Sequence, residues 1–322
     1  MFDIITLGDA TFDTFIVIDD DCGQCRVNVK TRQLCLNYAD KVCIDHIDQS
    51  VGGNASNVAV GGKKLGLKTS LVTELGDDIN GLAIQHELHK AGIDLTHTKI
   101  LKNKQTRFSV VLNYKSERTI LSYHAPRKYT LPKLPSTQWI YYTSLGKSFE
   151  SVQKKLVAHL KKNPSTKLAL NPGSYQMKKG LSAMRGLLSQ TDLLFVNKEE
   201  AQQLVGKKER ISRLLVSLHA KGVGVVVITD GTNGSYMYEG EHAYMMKPYE
   251  ITAKAKTGAG DAYASGFLAA LINKKTPHVA MQWGSANAAG VIQKIGAHRG
   301  LLSRAAVYNM IKKYPEISPK KI

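Results

Sequence analysis

What most restricts the fold of this chain is a run that does not alternate. Val223 to Thr229 is β-branched throughout except at Gly224. A strand with one wet face alternates apolar and polar side chains. An unbroken run needs cover on both faces, as in a parallel sheet flanked by helices. Further short strand patterns lie at Ile4 to Leu7, Thr69 to Thr73, Trp139 to Tyr142, Lys167 to Leu170 and Leu193 to Val196. Helical patterns separate them, at Ala55 to Leu65, Asn80 to Ala91, about Phe149 to Leu160, and from Lys198. Two more helices, Ala259 to Asn273 and Pro277 to Ile295, follow the last strand. The alternation predicts a three-layer α/β/α fold with a mostly parallel central sheet. With 43% hydrophobic residues, no internal repeat and no low-complexity linker, residues 1–322 read as one domain.

Two stretches break the rhythm. Residues 15–48 carry short alternating segments without a helical pattern, and 107–123 reads as a hairpin turning at Lys115 to Glu117. Both are expected to form a small β-rich subdomain projecting from the α/β body, and a projecting sheet beside a cleft is a natural lid that keeps water out.

The formal charge is +18. Such a field attracts anions. The lysines are scattered in pairs from Lys63-Lys64 to Lys320-Lys321 and form no basic arm. With no aromatic-plus-basic RNA motif, no specific nucleic-acid partner is expected. No apolar run approaches the ~20 residues that cross a bilayer. Met1 to Asp9 reads as a buried strand rather than a signal peptide, so the expected location is the cytoplasm. Cys22, Cys25, Cys35 and Cys43 offer a possible zinc knot. Only the first pair has ligand spacing, so reduced thiols are the expected state and zinc is not.

The segment with the most chemistry is Lys256-Thr257-Gly258-Ala259-Gly260-Asp261, just before an apolar helical run. Glycines let backbone amides approach a phosphate, and a helix N-terminus aims its free N–H groups at the same place. Asp261 falls in the first helical turn, where the dipole favours an ionised carboxylate beside the phosphate that moves. That is where a base for an attacking hydroxyl belongs. The plainer reading is an acidic residue that only complements the dipole.

Three further segments sit where strands and helices meet. Gly52-Gly53-Asn54-Ala55-Ser56-Asn57 allows close backbone approach, with Asn54 and Asn57 able to pair with hydroxyls; Asn54 can equally be a helix cap. Asn197 and Glu200 lie three apart on one helix face and can hold hydrated Mg²⁺; the alternative is an ordinary acidic helix start. Thr229, Gly231 and Gly234 close the buried strand, where ligands bind in open α/β sheets; the alternative is a turn. There is no Walker A pattern, since Gly61-Gly62-Lys63-Lys64 lacks the upstream glycine and the Ser/Thr.

Taken in order, from Gly8 and Asp13 through Gly52-Gly53-Asn54, Asn197-x-x-Glu200 and Thr229-Asp230-Gly231 to Gly258-Ala259-Gly260-Asp261, these segments resemble the ribokinase-like (PfkB) family of carbohydrate and nucleoside kinases. The resemblance covers nearly the whole chain. It implies an ATP- and Mg²⁺-dependent kinase, Asp261 as base, and an anion hole from the amides of Gly258, Ala259 and Gly260. It implies Asp13, Gly52, Gly53, Asn54 and Asn57 against the substrate, and Thr229, Gly231, Gly234 and Asn287 at the nucleotide. Mg²⁺ would be held through water by Asn197 and Glu200. It allows a homodimer through the lids.

The sequence departs from the family at Ala255 and Lys256, where relatives have Asp-Thr near a monovalent-cation site. K⁺ activation is therefore not carried over, and Lys256 either contacts a phosphate or is an exposed loop residue. Thr106-Arg107 resembles the Thr-Arg of relatives that act on sugar phosphates, so Arg107 is a candidate phosphate grip and a sugar-phosphate kinase is the alternative. Tyr123, His124, Arg127 and Tyr129 are read as lid packing rather than a wall for a nucleobase. A regulator that binds nucleotide or sugar without catalysis is a further alternative, set against the retained Asp261.

Overall fold

The computed structural model of the 322-residue chain describes every residue except 22, 32 and 116. The chain begins β1 (Phe2–Leu7), β2 (Thr11–Ile18), β3 (Cys25–Asn28), β4 (Gln33–Leu36), β5 (Ile44–Gly52), α1 (Asn54–Lys64), β6 (Thr69–Val72) and β7 (Glu74–Gly76). It continues α2 (Ile79–Lys90), β8 (Lys99–Leu101), β9 (Phe108–Tyr114), β10 (Glu117–Tyr123), β11 (Thr137–Tyr142), α3 (Glu150–Lys162), β12 (Lys167–Leu170), α4 (Ser174–Leu188) and β13 (Leu193–Asn197). It ends α5 (Lys198–Val205), α6 (Ile211–His219), β14 (Val225–Thr229), β15 (Ser235–Tyr238), β16 (Ala243–Met246), α7 (Ala259–Ile272), α8 (Pro277–Val291), α9 (Arg304–Lys313) and β17 (Lys320–Lys321).

The central sheet has the order β17-β16-β15-β14-β13-β12-β11-β1-β6. From β14 to β6 it is parallel, and β15 to β17 extend one edge antiparallel. Its apolar runs do not alternate because both faces are covered. Ile5, Tyr142 and Val196 pack with α3 to α6, while their neighbours Ile4, Tyr141 and Phe195 pack with α7 and α8. The predicted α/β/α architecture is the one observed.

A second sheet, ordered β10-β9-β2-β5, stands apart from the first. Its strands β2 and β5 lie between Thr11 and Gly52, a wider span than the 15–48 expected, and β9 and β10 lie between Phe108 and Tyr123, within the expected 107–123. Tyr114 and Glu117 face each other across the predicted hairpin, whose turn residue 116 lies outside the described residues. Cys22 also lies outside them; Cys25 is buried in β3, Cys35 half-buried in β4 and Cys43 exposed. Among the described residues no helix is long and apolar enough to cross a membrane.

Helix α8 stops at Val291, short of the expected Ile295, because the Ile292 carbonyl turns to accept from the Lys254 and Ala255 amides. Helix α4 escapes a periodicity reading because Gly180 interrupts it at φ 75°. The antiparallel strands β15 and β16, four residues each, are likewise absent from the sequence reading because they are short.

Helices α7 and α8 cross at glycines. A Cβ on Gly266 would sit 2.5 Å from the Trp283 carbonyl oxygen, and one on Gly284 3.0 Å from the Tyr263 ring. This backbone-to-backbone approach sets where α7 begins, and so where its first turn lies. Gly266→Val should therefore destabilise the protein by about 2 kcal/mol or more, as overpacked cores do. Urea unfolding measures it, and an unchanged midpoint would mean that the crossing is not tight.

Candidate active site

Helix α7 opens with Gly258 in the left-handed region, φ 81° and ψ 0°. A Cβ there would press on the Ala297 side chain at 2.7 Å, so only glycine fits. Gly260, by contrast, faces open space. The first N–H groups of the helix have no intrahelical acceptors. Together they make a cradle for an anion at the start of α7.

Asp261, in the first turn, is only 8% exposed. Its Oδ2 accepts from Asn57 Nδ2 at 2.8 Å, which ties α7 to α1. The helix dipole does not keep this carboxyl fully ionised, as the sequence reading expected. Burial outweighs it and pushes the group up to about 7, opposed by the Asn57 hydrogen bond and assisted by the charge of Glu200. A carboxyl poised there exchanges protons readily near neutral pH.

Asn57 thus serves the buried carboxyl, and its own Oδ1 is buried without a partner among the described residues. Gly53, at φ 93°, is the cap of α1, so Asn54 is the first helical residue rather than the cap. A Cβ on Gly53 would come within 2.5 Å of the Asp9 carbonyl oxygen. Gly52 leaves room for the Asp13 carboxylate, which a Cβ would strike. Asp13 Oδ1 accepts from Thr11 Oγ1 at 2.9 Å, and burial pushes its carboxyl up.

Asn197 and Thr229 are register partners on β13 and β14 at their carboxyl ends. Asn197 caps α5: its Oδ1 accepts from the Glu200 amide at 2.8 Å, and Glu200 Oε2 accepts from the Asn197 amide at 2.9 Å. The acidic helix start and the candidate cation site are one and the same pair. Burial pushes Glu200 upward, so a cation beside its carboxylate would relieve a desolvated charge. Gly231 faces open space nearby.

Four expected site residues stand differently. Asn287 is fully buried; its Nδ2 donates to Ala262 O at 2.9 Å and Ser265 Oγ at 3.0 Å, and its Oδ1 accepts from Leu302 N at 2.9 Å. It braces α8 against α7 and has no atom left for a nucleotide. Gly234, at φ 93°, makes the turn into β15, where a Cβ would collide with the Met246 carbonyl. Arg107 is ion-paired with Asp9 and lies 2.8 Å from His124 Nε2, with its pKa lowered to about 10 chiefly by burial. Its guanidinium is committed inside the protein. Lys256 is exposed and reaches Glu117 of β10 at 3.5 Å, a contact between body and small sheet worth little by itself.

Thr106 is buried between Asp78 and the Gly76 amide. Tyr129 accepts from Gly146 N at 3.0 Å, and Arg127 donates to the Glu74 and Gln105 carbonyls, so these residues pack as the plainer reading expected. Asn171 was not foreseen. Its Oδ1 lies 3.5 Å from Asn54 Nδ2 and 3.4 Å from the Tyr141 hydroxyl, and its Nδ2 donates to Phe195 O at 2.9 Å. The signal was present: an Asn-Pro-Gly break directly after an apolar strand marks its carboxyl end. Among the described residues no cluster of three His, Cys, Asp or Glu side chains can hold a metal.

The family model of pfkB carbohydrate kinases matches residues 16–304. The ribokinase of Haemophilus influenzae is 26% identical over 263 residues, covering 79% of this chain and 84% of its own. The nucleoside kinase of Methanocaldococcus jannaschii has the same fold, with TM-score 0.81 and 20% identity over 97% of this chain and 99% of its own. The Arabidopsis thaliana ribokinase solved with ribose and ATP superposes with TM-score 0.80 at 21% identity, over 97% of this chain and 99% of its own.

Asp261 should leave a thermodynamic signature. Its ordinary value is 3.8 and its folded value about 7. Between them the folded chain keeps a proton that the unfolded chain has lost, so stability falls as pH rises through this window. Asp261→Asn removes that cost. The melting temperature of the variant should exceed that of wild type by a margin that widens from pH 5 to pH 8. A constant margin would contradict the raised value.

Proposed function

Since the chain belongs to the pfkB family of carbohydrate kinases, we propose that it transfers the γ-phosphoryl group of ATP to a hydroxyl of a sugar or nucleoside, with Asp261 as the base. That it is a kinase of this class follows from the family; the donor and the residue roles are our reading. The observation that carries the reading is the buried Asp261 carboxyl, poised near 7, beside an open cradle of helix N–H groups. The ATP-bound ribokinase of like fold supports ATP as donor.

In the proposed reaction Asp13, Gly52, Gly53, Asn54 and Asn57 face the acceptor. The buried, unpartnered Oδ1 of Asn57 accepts from an acceptor hydroxyl. Asp261 takes the proton of the attacking hydroxyl as its oxygen bonds to the γ-phosphorus. The bond to the β-phosphate oxygen breaks, and ADP leaves. The amides of Gly258, Ala259 and Gly260 stabilise the negative charge that moves onto the phosphoryl oxygens. Thr229 and Gly231 border the donor. Asn197 and Glu200 would hold Mg²⁺ through water, and the bound ion would neutralise phosphate charge. The small sheet acts as the lid that excludes water, within a single kinase domain. Ala255 removes a carboxylate from the region that holds K⁺ in relatives, so we expect turnover without K⁺.

Two variants test the assignment together. Asp261→Asn should lower kcat by about 10³-fold while the fold and ATP binding persist. Asn57→Ala removes a hydrogen bond that lowers the base, so the acid limb of kcat/KM against pH should move upward from about 7. Near-normal turnover in the first variant rules out Asp261 as the base; an unmoved limb in the second rules out the coupling to Asn57.

A homodimer through the lids is the assembly we propose. The two edge strands of the small sheet expose Ile44 and Ile47 on β5, and Ile120 and Leu121 on β10. Sedimentation velocity should show a dimer that Ile47→Lys with Leu121→Lys converts to monomer; a wild-type monomer excludes it.

A further inference from the structure

A cavity of about 860 Å³ lies past the carboxyl ends of β11 and β12. One wall comes from Gly146 to Ser148, just beyond β11, and from Tyr175 at the start of α4. These are carboxyl ends of the parallel sheet, where ligands bind in such folds. A second wall is the segment Ser122 to Tyr129 that leaves the small sheet, and a third is Lys102 with Lys104, just after β8.

The lining is strongly one-signed. Lys102, Lys104, Arg127, Lys128 and Lys147 all border this cavity, against a single carboxylate, Glu74. Glu74 forms no ion pair with them among the described residues, and its Oε2 is buried there without a hydrogen-bond partner. It is buried, and its Oε1 accepts from Thr130 N at 3.1 Å and Thr130 Oγ1 at 3.2 Å. Arg127 is occupied by backbone carbonyls. None of the four lysines has an ion-pair partner among the described residues. Four unpaired ammonium groups around one concavity repel each other and focus a positive potential into it.

A chain of contacts through Arg107 links the cavity to the acceptor site. Arg107 is ion-paired with Asp9, whose carbonyl abuts Gly53, and on its other side lies 2.8 Å from His124 Nε2 in the cavity lining. His124 Nδ1 is buried without a partner among the described residues. The rings of His124 and Tyr175 meet edge-on at 5.3 Å and add an aromatic surface.

We infer that this cavity is an anionic extension of the acceptor site, and that it seats a phosphate carried by the acceptor at the end remote from the attacked hydroxyl. The inference rests on the kinase reading and narrows its substrate class to phosphorylated sugars or nucleosides. The phosphate is held by lysines acting as point charges around the cavity; Arg107 does not line it, and its buried guanidinium lies between Asp9 and His124.

Matched acceptors test it: fructose with fructose 6-phosphate, ribose with ribose 5-phosphate, and adenosine with adenosine 5′-monophosphate. Calorimetric titration at constant ionic strength compares wild type with Lys102→Glu/Lys128→Glu; both positions are exposed, so the variant should melt like wild type. In at least one pair the phosphorylated member should bind tenfold or more tightly, and added salt should weaken it. The double variant should lose that tenfold while binding of the neutral member is kept. The inference is overturned if phosphate adds no affinity in any pair, or if the double variant retains the gain. ATP turnover with the same compounds is read separately. Its absence throughout would overturn the kinase reading, while the binding comparison still decides the cavity.

Discussion

One buried hydrogen bond, from Asn57 to the carboxylate of Asp261, joins the parts of this site. Burying a carboxylate is costly unless something donates to it. Here the donor comes from α1 and the carboxylate from α7, so the two helices that carry the acceptor and phosphate-cradle residues are held in one relation. The partner is strong enough to keep the group titrating near neutral pH and too weak to restore its ordinary value. That balance suits a residue whose proposed task is to take up and release a proton.

The backbone makes that placement possible. Gly266 lets α7 meet the backbone of α8 and Gly284 leaves room for the Tyr263 ring, and Asn287 closes the joint from inside. Gly258 then turns the chain sharply into α7. The first turn of α7 is fixed by these contacts before any ligand arrives, and the free N–H groups at its start need no rearrangement to meet negative charge.

Charge is organised on two scales. The overall excess of cations draws anions in general. Locally, Arg107 and Lys256 are tied to Asp9 and Glu117, while the lysines around the cavity past His124 have no ion-pair partner among the described residues. Unpaired charge, more than total charge, marks where an anion has something to gain. The small sheet contributes to both, since β10 offers Glu117 to the body and runs on into the cavity wall.

The sequence alone determined the layered architecture, because a strand buried on both faces must be apolar at consecutive positions, as in Val223 to Thr229. It also located Asp261 at a helix start, because glycine spacing and the apolar run behind it are local signals. Helix α4 was hidden by its interruption at Gly180, a local break whose repair lies in tertiary packing. Tertiary structure alone decided which polar side chains are free. Asn287 spends its amide on Ala262 O, Ser265 Oγ and Leu302 N, whereas Asn57, the same side chain, keeps a buried Oδ1 that has no partner among the described residues. Arg107 is ion-paired with Asp9, whereas Lys128 has no ion pair among the described residues. Hydrogen bonds and desolvation depend on neighbours brought together by folding, so the raised pKa of Asp261, the role of Asn171 and the convergence of distant lysines on one cavity could be read only from the folded chain.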